Sequence, residues 1–227
     1  MDISTVPSLG QLSGIIAAVG AFGTAAFGLV DAFKVLPGGG LSRAGFKFIR
    51  EAVLKIAPQV ESLDDSCLSQ DSILYTLQSQ WINGVAASDQ INIAKSLVKL
   101  RLTPATAPGL AKATGVNAEV LSQIAGNILS GMPLTPQQAD VYGRFDLLLT
   151  TLLDQAYQRA DQRYRNVAKV AAIPISVALS LIAAHALQFN RMDAVLIGLI
   201  ATPIAPIAKD ISSAVTAGVQ ALQSLKG

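Results

Sequence analysis

Three long stretches of the chain carry no charged residue, and the segments between them repeat their apolar positions at helical spacing. The first stretch lies between Asp2 and Asp31 (28 residues), the second between Lys169 and Arg191 (21) and the third between Asp193 and Lys209 (15). A helix rises about 1.5 Å per residue, so a ~30 Å hydrocarbon core takes about 20 residues. The first stretch, with its run Ile15–Val30, and the second, Val170–Asn190, are long enough to span. The third, Ala194–Ala208, reaches only ~22 Å. It spans if Arg191 and Lys209 snorkel or the bilayer thins; otherwise it is a re-entrant or interfacial helix. No strand-like alternation occurs anywhere. The expectation is an all-α integral membrane protein with about three transmembrane helices.

The middle of the chain reads as a series of amphipathic helices. Pro37-Gly38-Gly39-Gly40 ends the first helix as a swivel. No Gly-Lys-Ser/Thr follows these glycines and no strand precedes them, so they are not a phosphate-binding loop. Ser42 is placed to cap a helix in which Phe46, Ile49, Val53 and Ile56 recur at helical spacing. Lys47, Arg50 and Lys55 occupy its opposite face, as in a helix beside anionic headgroups or one with a solvated outer face. Asp64, Asp65 and Asp71 mark an acidic turn. Ile73, Leu74, Leu77 and Trp81 then make a short helix that Gly84 stops. Ser88 is placed to cap another, with Ile91, Ala94, Leu97 and Val98 inward. Thr103–Gly109 is a loop by composition.

Leu110–Leu121 resembles the helix-turn-helix of small DNA-binding regulators, with a glycine turn between two short helices. A recognition helix needs Arg, Lys, Asn or Gln facing bases and phosphates. No basic residue occurs from Asn117 to Gly131, and Glu119 stands near the start. The pair is therefore expected to serve packing, with no nucleic-acid partner. Thr135-Pro136-Gln137-Gln138 carries every mark of a helix start: a capping Thr, Pro at the first position and Gln at the capping-box return site. No breaker follows until Pro174. Val141, Phe145, Leu148, Leu149 and Leu152 form one stripe, continued near Tyr157 and Tyr164, while Asp154, Arg159, Asp161, Arg163 and Arg165 face elsewhere. This predicts a helix of about 35 residues, ~50 Å long, that enters the membrane as the second span. Pro174 is expected to kink it.

Composition agrees with this layout. Half of the residues are hydrophobic (51%), 14% are charged and the mean hydropathy is +0.47. Ordinary soluble domains carry about 25% charged residues. The values exclude a disordered chain. The single Cys67 excludes a disulfide scaffold, and a net charge of +2 is too small for a general nucleic-acid binder. Basic residues set the orientation. The stretch from Lys34 to Lys169 holds 14 of the 17. Both of its ends are basic: Lys34, Arg43, Lys47 and Arg50 follow the first span, and Arg159, Arg163, Arg165 and Lys169 precede the second. The middle region is thus expected in the cytoplasm, the N-terminus outside and the C-terminus inside. Asp2 is the only charge before the first span, so that span lacks the basic region of a signal peptide and is expected to remain in the mature chain. The domains expected are 1–36, an N-terminal span; 37–168, a helical cytoplasmic domain; 169–210, a transmembrane hairpin; and 211–227, an amphipathic or interfacial tail.

Few positions carry candidate chemistry. Ser13, Ala17, Gly20, Thr24 and Gly28 place small residues on one face of the first span, which suits close helix–helix contact within the chain or between copies. Asp31 and Lys34 end that span as interfacial anchors, or as a charged pore mouth if copies assemble around an axis. In the third span Pro203 and Pro206 remove backbone donors and free the carbonyls of Leu199 and Thr202. Thr202, Pro203, Pro206, Lys209 and Asp210 thus form a candidate ion site at a broken helix, or the bend into Ile211–Leu225. Lys34, Arg43, Lys47, Arg50, Arg163, Arg165 and Lys169 are candidate headgroup contacts. His185, the only histidine, lies inside the second span close to the polar turn at Asn190-Arg191. No Ser/His/Asp arrangement, metal-ligand set or cofactor motif is visible, so no catalytic residue, metal or cofactor is expected. The expected function is a non-enzymatic, homo-oligomeric membrane scaffold or anchor. Its partners would be the bilayer, further copies and a cytoplasmic protein. The alternatives are an oligomeric channel or pore-forming effector gated by the cytoplasmic domain, and a small transporter using the Pro-broken helix.

Overall fold

The computed structural model describes residues 9–33 (side chains from Gly14), 40–57, 68–188 and 190–206. The chain is helical, with no strand among the described residues. The helices are α1 (Leu9–Ala32), α2 (Arg43–Ile56, entered through a 3-10 turn at Gly40–Ser42), α3 (Gln70–Ile82), α4 (Ala87–Leu100), α5 (Ala107–Thr114), α6 (Ala118–Ser130) and α7 (Pro136–Ala186). Residues 191–206 form a further helix, α8. The chain divides into two compact units: Met1–Lys34 with Arg165–Gly227, and Val35–Tyr164. α7 is one unbroken helix of 51 residues, ~76 Å long, that contributes to both.

Local chemistry sets the helix ends. Thr135 and Gln138 form the expected capping box: the Gln138 amide donates to Thr135 Oγ1 (3.3 Å) and the Thr135 amide to Gln138 Oε1 (3.1 Å). α3 closes on Gly84 (φ 70°), with the Val85 amide on the Gln80 carbonyl and the Gly84 amide on the Trp81 carbonyl. α6 closes in the same way on Gly131. These are Schellman closures, in which glycine takes the left-handed conformation at no steric cost. Two predicted caps differ. Ser42 lies in the 3-10 turn with helical dihedrals, and its side chain makes no capping bond. Its carbonyl instead accepts from Trp81 Nε1 (3.0 Å). Ser88 falls inside α4, which Ala86 precedes. The Thr103–Gly109 loop is shorter than composition suggests. Thr103 and Thr106 bond each other reciprocally, and α5 begins at Ala107 with Pro108 in its first turn, where a missing N–H costs nothing.

The Val35–Tyr164 unit has a core of large apolar side chains, although Tyr75, Leu100, Leu129, Met132 and Leu147 are exposed. Phe46, Ile49, Val53 and Ile56 of α2 are all buried, as their spacing predicts. They meet Ile73 and Leu77 of α3, Ile91, Ala94 and Val98 of α4, and Leu110 and Leu121 of the α5–α6 pair. α7 adds Phe145, Leu149, Leu153 and Tyr157. Leu153 replaces Leu148 and Leu152 at the centre of the predicted stripe, because the true row advances four residues at a time. Each such side chain stabilises the fold by about 1.5–3 kcal/mol through removal from water. Gly45 lets α2 approach α7 closely: a Cβ there would stand 2.5 Å from the Ala160 carbonyl oxygen.

The other unit is built the opposite way. Its interior is mostly small: Ala26 on α1 beside the buried Val19 and Val30, Ala168, Ala172, Ser176, Ser180 and Ala184 on α7, and Ala194, Ala201 and Ala205 on α8. Its outside is large and apolar, with Ile15, Val170, Ile182, Met192 and Leu196 all more than half exposed. α8 crosses both other helices at glycine. A Cβ at Gly23 would collide with the Ala201 carbonyl, and one at Gly198 with Val177. The Ser180 hydroxyl bonds the Ala194 carbonyl (2.7 Å) across the α7–α8 contact. Neither Pro174 nor Pro203 interrupts its helix. Losing one rung leaves the rest of the ladder intact when the helix is packed on its neighbours. α1 over Gly14–Ala32 and α7 are each long and apolar enough to cross a membrane.

Candidate functional site

Among the described residues of the Val35–Tyr164 unit, an opening lies on each flank of the buried stripe of α2. At 100° per residue, Arg43, Lys47 and Arg50 fall together on one flank, and Phe48, Ala52 and Lys55 on the other. The first three, with Phe46 and Gln78 of α3, line an open cleft of about 470 Å³. Lys47 also faces Glu51 one turn on, at 3.8 Å, an exposed pair of little energetic weight.

The second opening is a groove of about 570 Å³ between α2, α5 and α7. Phe48, Ala52, Ile56, Ala113, Leu152 and Ala156 make its apolar wall. Lys55, Lys112 and Arg159 stand at its rim, and among the described lining residues Glu51 is the only carboxylate, so cations there outnumber anions three to one. The rim side chains are exposed, whereas Ile56 and Ala156 are buried. Lys112 lies in the last turn of α5, where the helix dipole favours a cation.

Three further polar groups are set into this unit. Lys99 and Lys95 both reach Asp146, at 3.0 and 3.4 Å. Partial burial works against both charges, but the Lys99 hydrogen bond and the two ammonium charges hold the Asp146 carboxyl below its usual range. Burial likewise opposes the Lys99 charge, yet Asp146 and Tyr142 raise its pKa. The buried Arg101 donates to the Leu68 carbonyl (3.1 Å). Burial pushes the Tyr157 phenol well above its usual range, and its hydroxyl has no hydrogen-bond partner among the described residues.

The sequence-predicted positions separate as follows. On α1, Gly20 is buried while Ala17, Thr24 and Gly28 are exposed, and Thr24 Oγ1 donates to the Gly20 carbonyl (3.0 Å). The face that packs within the unit is Val19, Gly23, Ala26 and Val30 instead. Both faces are rich in small residues, and spacing alone does not rank them. The Ser13 side chain, Lys34, Lys209, Asp210 and the 211–227 tail lie outside the described residues, as do Asp64, Asp65, Cys67 and Pro37–Gly39. Asp31 is exposed at the end of α1. Thr202 is buried, with its hydroxyl unpartnered among the described residues, while Pro203 and Pro206 are exposed on a helix that continues through residue 206. Arg43, Lys47 and Arg50 share the first cleft, and Arg163, Arg165 and Lys169 are exposed along α7. His185 is exposed in the last turn of α7, and Gln188 Nε2 bonds its carbonyl (3.3 Å).

Sequence patterns do not reveal the groove. Lys112 and Arg159 come from helices distant in sequence, and only packing brings them to Lys55. The local signal available was a lone cation beside small apolar residues on each helix. Among the described residues no group of three or more His, Cys, Asp or Glu could hold a metal ion. No protein-family model, curated protein or solved structure matches the chain.

Proposed function

We propose that the protein is a non-enzymatic membrane scaffold that anchors a helical cytoplasmic domain through three spans. These are α1, the C-terminal part of α7 and α8. The N-terminus lies outside and the C-terminus inside. The observation that carries this reading is the inverted packing of the spanning unit. A soluble helical unit buries Leu, Ile and Phe and shows polar residues to water. Here Ala, Gly and Ser make up most of the interior, with Val19 and Val30 the larger side chains buried among them, and Ile15, Val170, Ile182, Met192 and Leu196 point outward. Lipid tails solvate such a surface, and small residues let helices approach where no hydrophobic drive exists. α8 spans only ~24 Å, which local thinning accommodates. The exposed row Ala17, Thr24 and Gly28 supports assembly of copies through α1.

Topology is tested by labelling single cysteines in a Cys67→Ser background with a membrane-impermeant maleimide. Gln188→Cys is expected to react in intact cells, and Ser88→Cys only after permeabilisation. Reaction of Ser88→Cys from outside, or release of the protein by carbonate washing, would overturn the reading. Assembly is tested by mass photometry of the nanodisc particle: Gly28→Leu is expected to lower the copy number. A wild-type monomer removes the oligomeric part.

A further inference from the structure

We propose that the groove between α2, α5 and α7 binds a single-chain lipid with an anionic head, its acyl chain against the apolar wall and its head at the cationic rim. The inference stands on the groove alone and does not depend on how the spans cross the bilayer.

Three observations determine the occupant. The wall of Phe48, Ala52, Ile56, Leu152 and Ala156 offers hydrocarbon contacts and no buried hydrogen-bonding side chain, so the inserted part of the ligand is apolar. The size, about 570 Å³, lies in the range that encloses one small ligand and is small for a lipid with two chains. Lys55, Lys112 and Arg159 converge at the opening from three different helices. Glu51 is the one carboxylate of the described lining, so the three cations leave an excess of positive charge at the groove. The rim therefore selects an anion, and Arg159 can take a carboxylate or phosphate with two parallel bonds. A neutral amphiphile would fill the wall and leave three cations facing one another. A cationic one would be repelled.

The test uses the full-length protein in zwitterionic nanodiscs. The probes are twelve-carbon chains with a terminal diazirine and a carboxylate, phosphate, hydroxyl or amine head, mapped by mass spectrometry after irradiation. The acid probes are expected to form adducts on α2 and α7 at the groove wall. Their yield should fall about tenfold in the Lys112→Gln/Arg159→Gln variant, because each lost bond to a charged group weakens binding substantially. Both side chains are exposed, so this variant keeps its fold, and its melting temperature is checked against wild type. Ala52→Trp, which fills the groove from a half-buried position, is expected to abolish the same adducts. Acid adducts confined to α1, α8 and the C-terminal part of α7 would overturn the proposal. So would equal yields in wild type and the double variant, or equal labelling by the hydroxyl or amine probe. Protection of the groove by an acidic peptide, without any acid-probe adduct, would assign it to a protein partner and overturn the lipid.

Discussion

Gly45 and Gly143 make one substitution carry opposite signs. Both lie in helices of the Val35–Tyr164 unit. Replacing glycine by alanine in a helix gains roughly 0.5–1 kcal/mol from backbone entropy alone. At Gly143 nothing stands within 4 Å of the added Cβ, so that gain is realised. At Gly45 the Cβ would meet the Ala160 carbonyl oxygen at 2.5 Å, the Trp81 ring at 2.9 Å and the Tyr164 Cβ at 3.2 Å. Two of these are on α7, so relief requires α2 and α7 to separate. Overpacking of this kind costs about 1–3 kcal/mol. The net effect of Gly45→Ala is therefore a loss of up to about 2.5 kcal/mol, set against a gain of about 0.5–1 kcal/mol for Gly143→Ala. For a unit of this size 1 kcal/mol corresponds to about 4 °C. Gly45→Ala should melt lower, by up to about 10 °C, and Gly143→Ala about 2–4 °C higher. The assay is thermal unfolding of the full chain in mild detergent, followed by fluorescence of Trp81, the sole tryptophan. Its ring packs edge-on to Tyr157 at 6.4 Å and Tyr164 at 6.5 Å, so it reports this unit. Far-UV circular dichroism provides a second readout, since the Gly45 variant also touches the ring. A Gly45→Ala protein as stable as Gly143→Ala would refute the close approach of α2 to α7.

Tyr157→Phe should stabilise the protein by about 1 kcal/mol in the same melt, because it removes a buried hydroxyl that has no partner among the described residues. A loss of that size would show that the hydroxyl is bonded. Asp146→Asn should cost at most about 1 kcal/mol at neutral pH, as its pair is one-third exposed. The folded Asp146 carboxyl titrates below its unfolded value, so its contribution is full above the unfolded pKa and is lost as pH falls through the folded one. Denaturant melts of wild type and variant should therefore converge in acid, and a constant difference would contradict the pair. Gly198→Val should weaken the α7–α8 contact by about 2–3 kcal/mol in detergent denaturation, because its Cβ strikes Val177 and comes within 2.6 Å of Ser180 Oγ. Gly28→Val, with nothing within 4 Å, should leave that fold unchanged.

Much of the architecture is legible in the order of residues. The capping box at Thr135 and Gln138, the stripe Phe46–Ile49–Val53–Ile56 and the glycine stop at Gly84 each follow from a few adjacent residues. Helix formation and termination are local, so such signals survive folding unchanged. The errors are local as well. Ser42 and Ser88 carry the right side chain for a cap, but a 3-10 turn and an earlier start moved the boundary past them. Proline at 203 reads as a break, yet its helix runs through it.

By itself the sequence determined that the chain is helical, where its uncharged stretches lie and which α2 face is buried, because each depends on the order of side chains along one helix. Only the tertiary structure decided which α1 face packs. Ala17–Thr24–Gly28 and Val19–Gly23–Ala26 are equally small, and the choice went to the face that meets Ala201. It alone brought Lys55, Lys112 and Arg159 to one rim, since no spacing rule relates residues on three different helices. It also exposed the contrast between a unit with large residues inside and one with mostly small residues inside. That contrast is a property of side-chain direction, which follows from how helices pack and is not visible in composition.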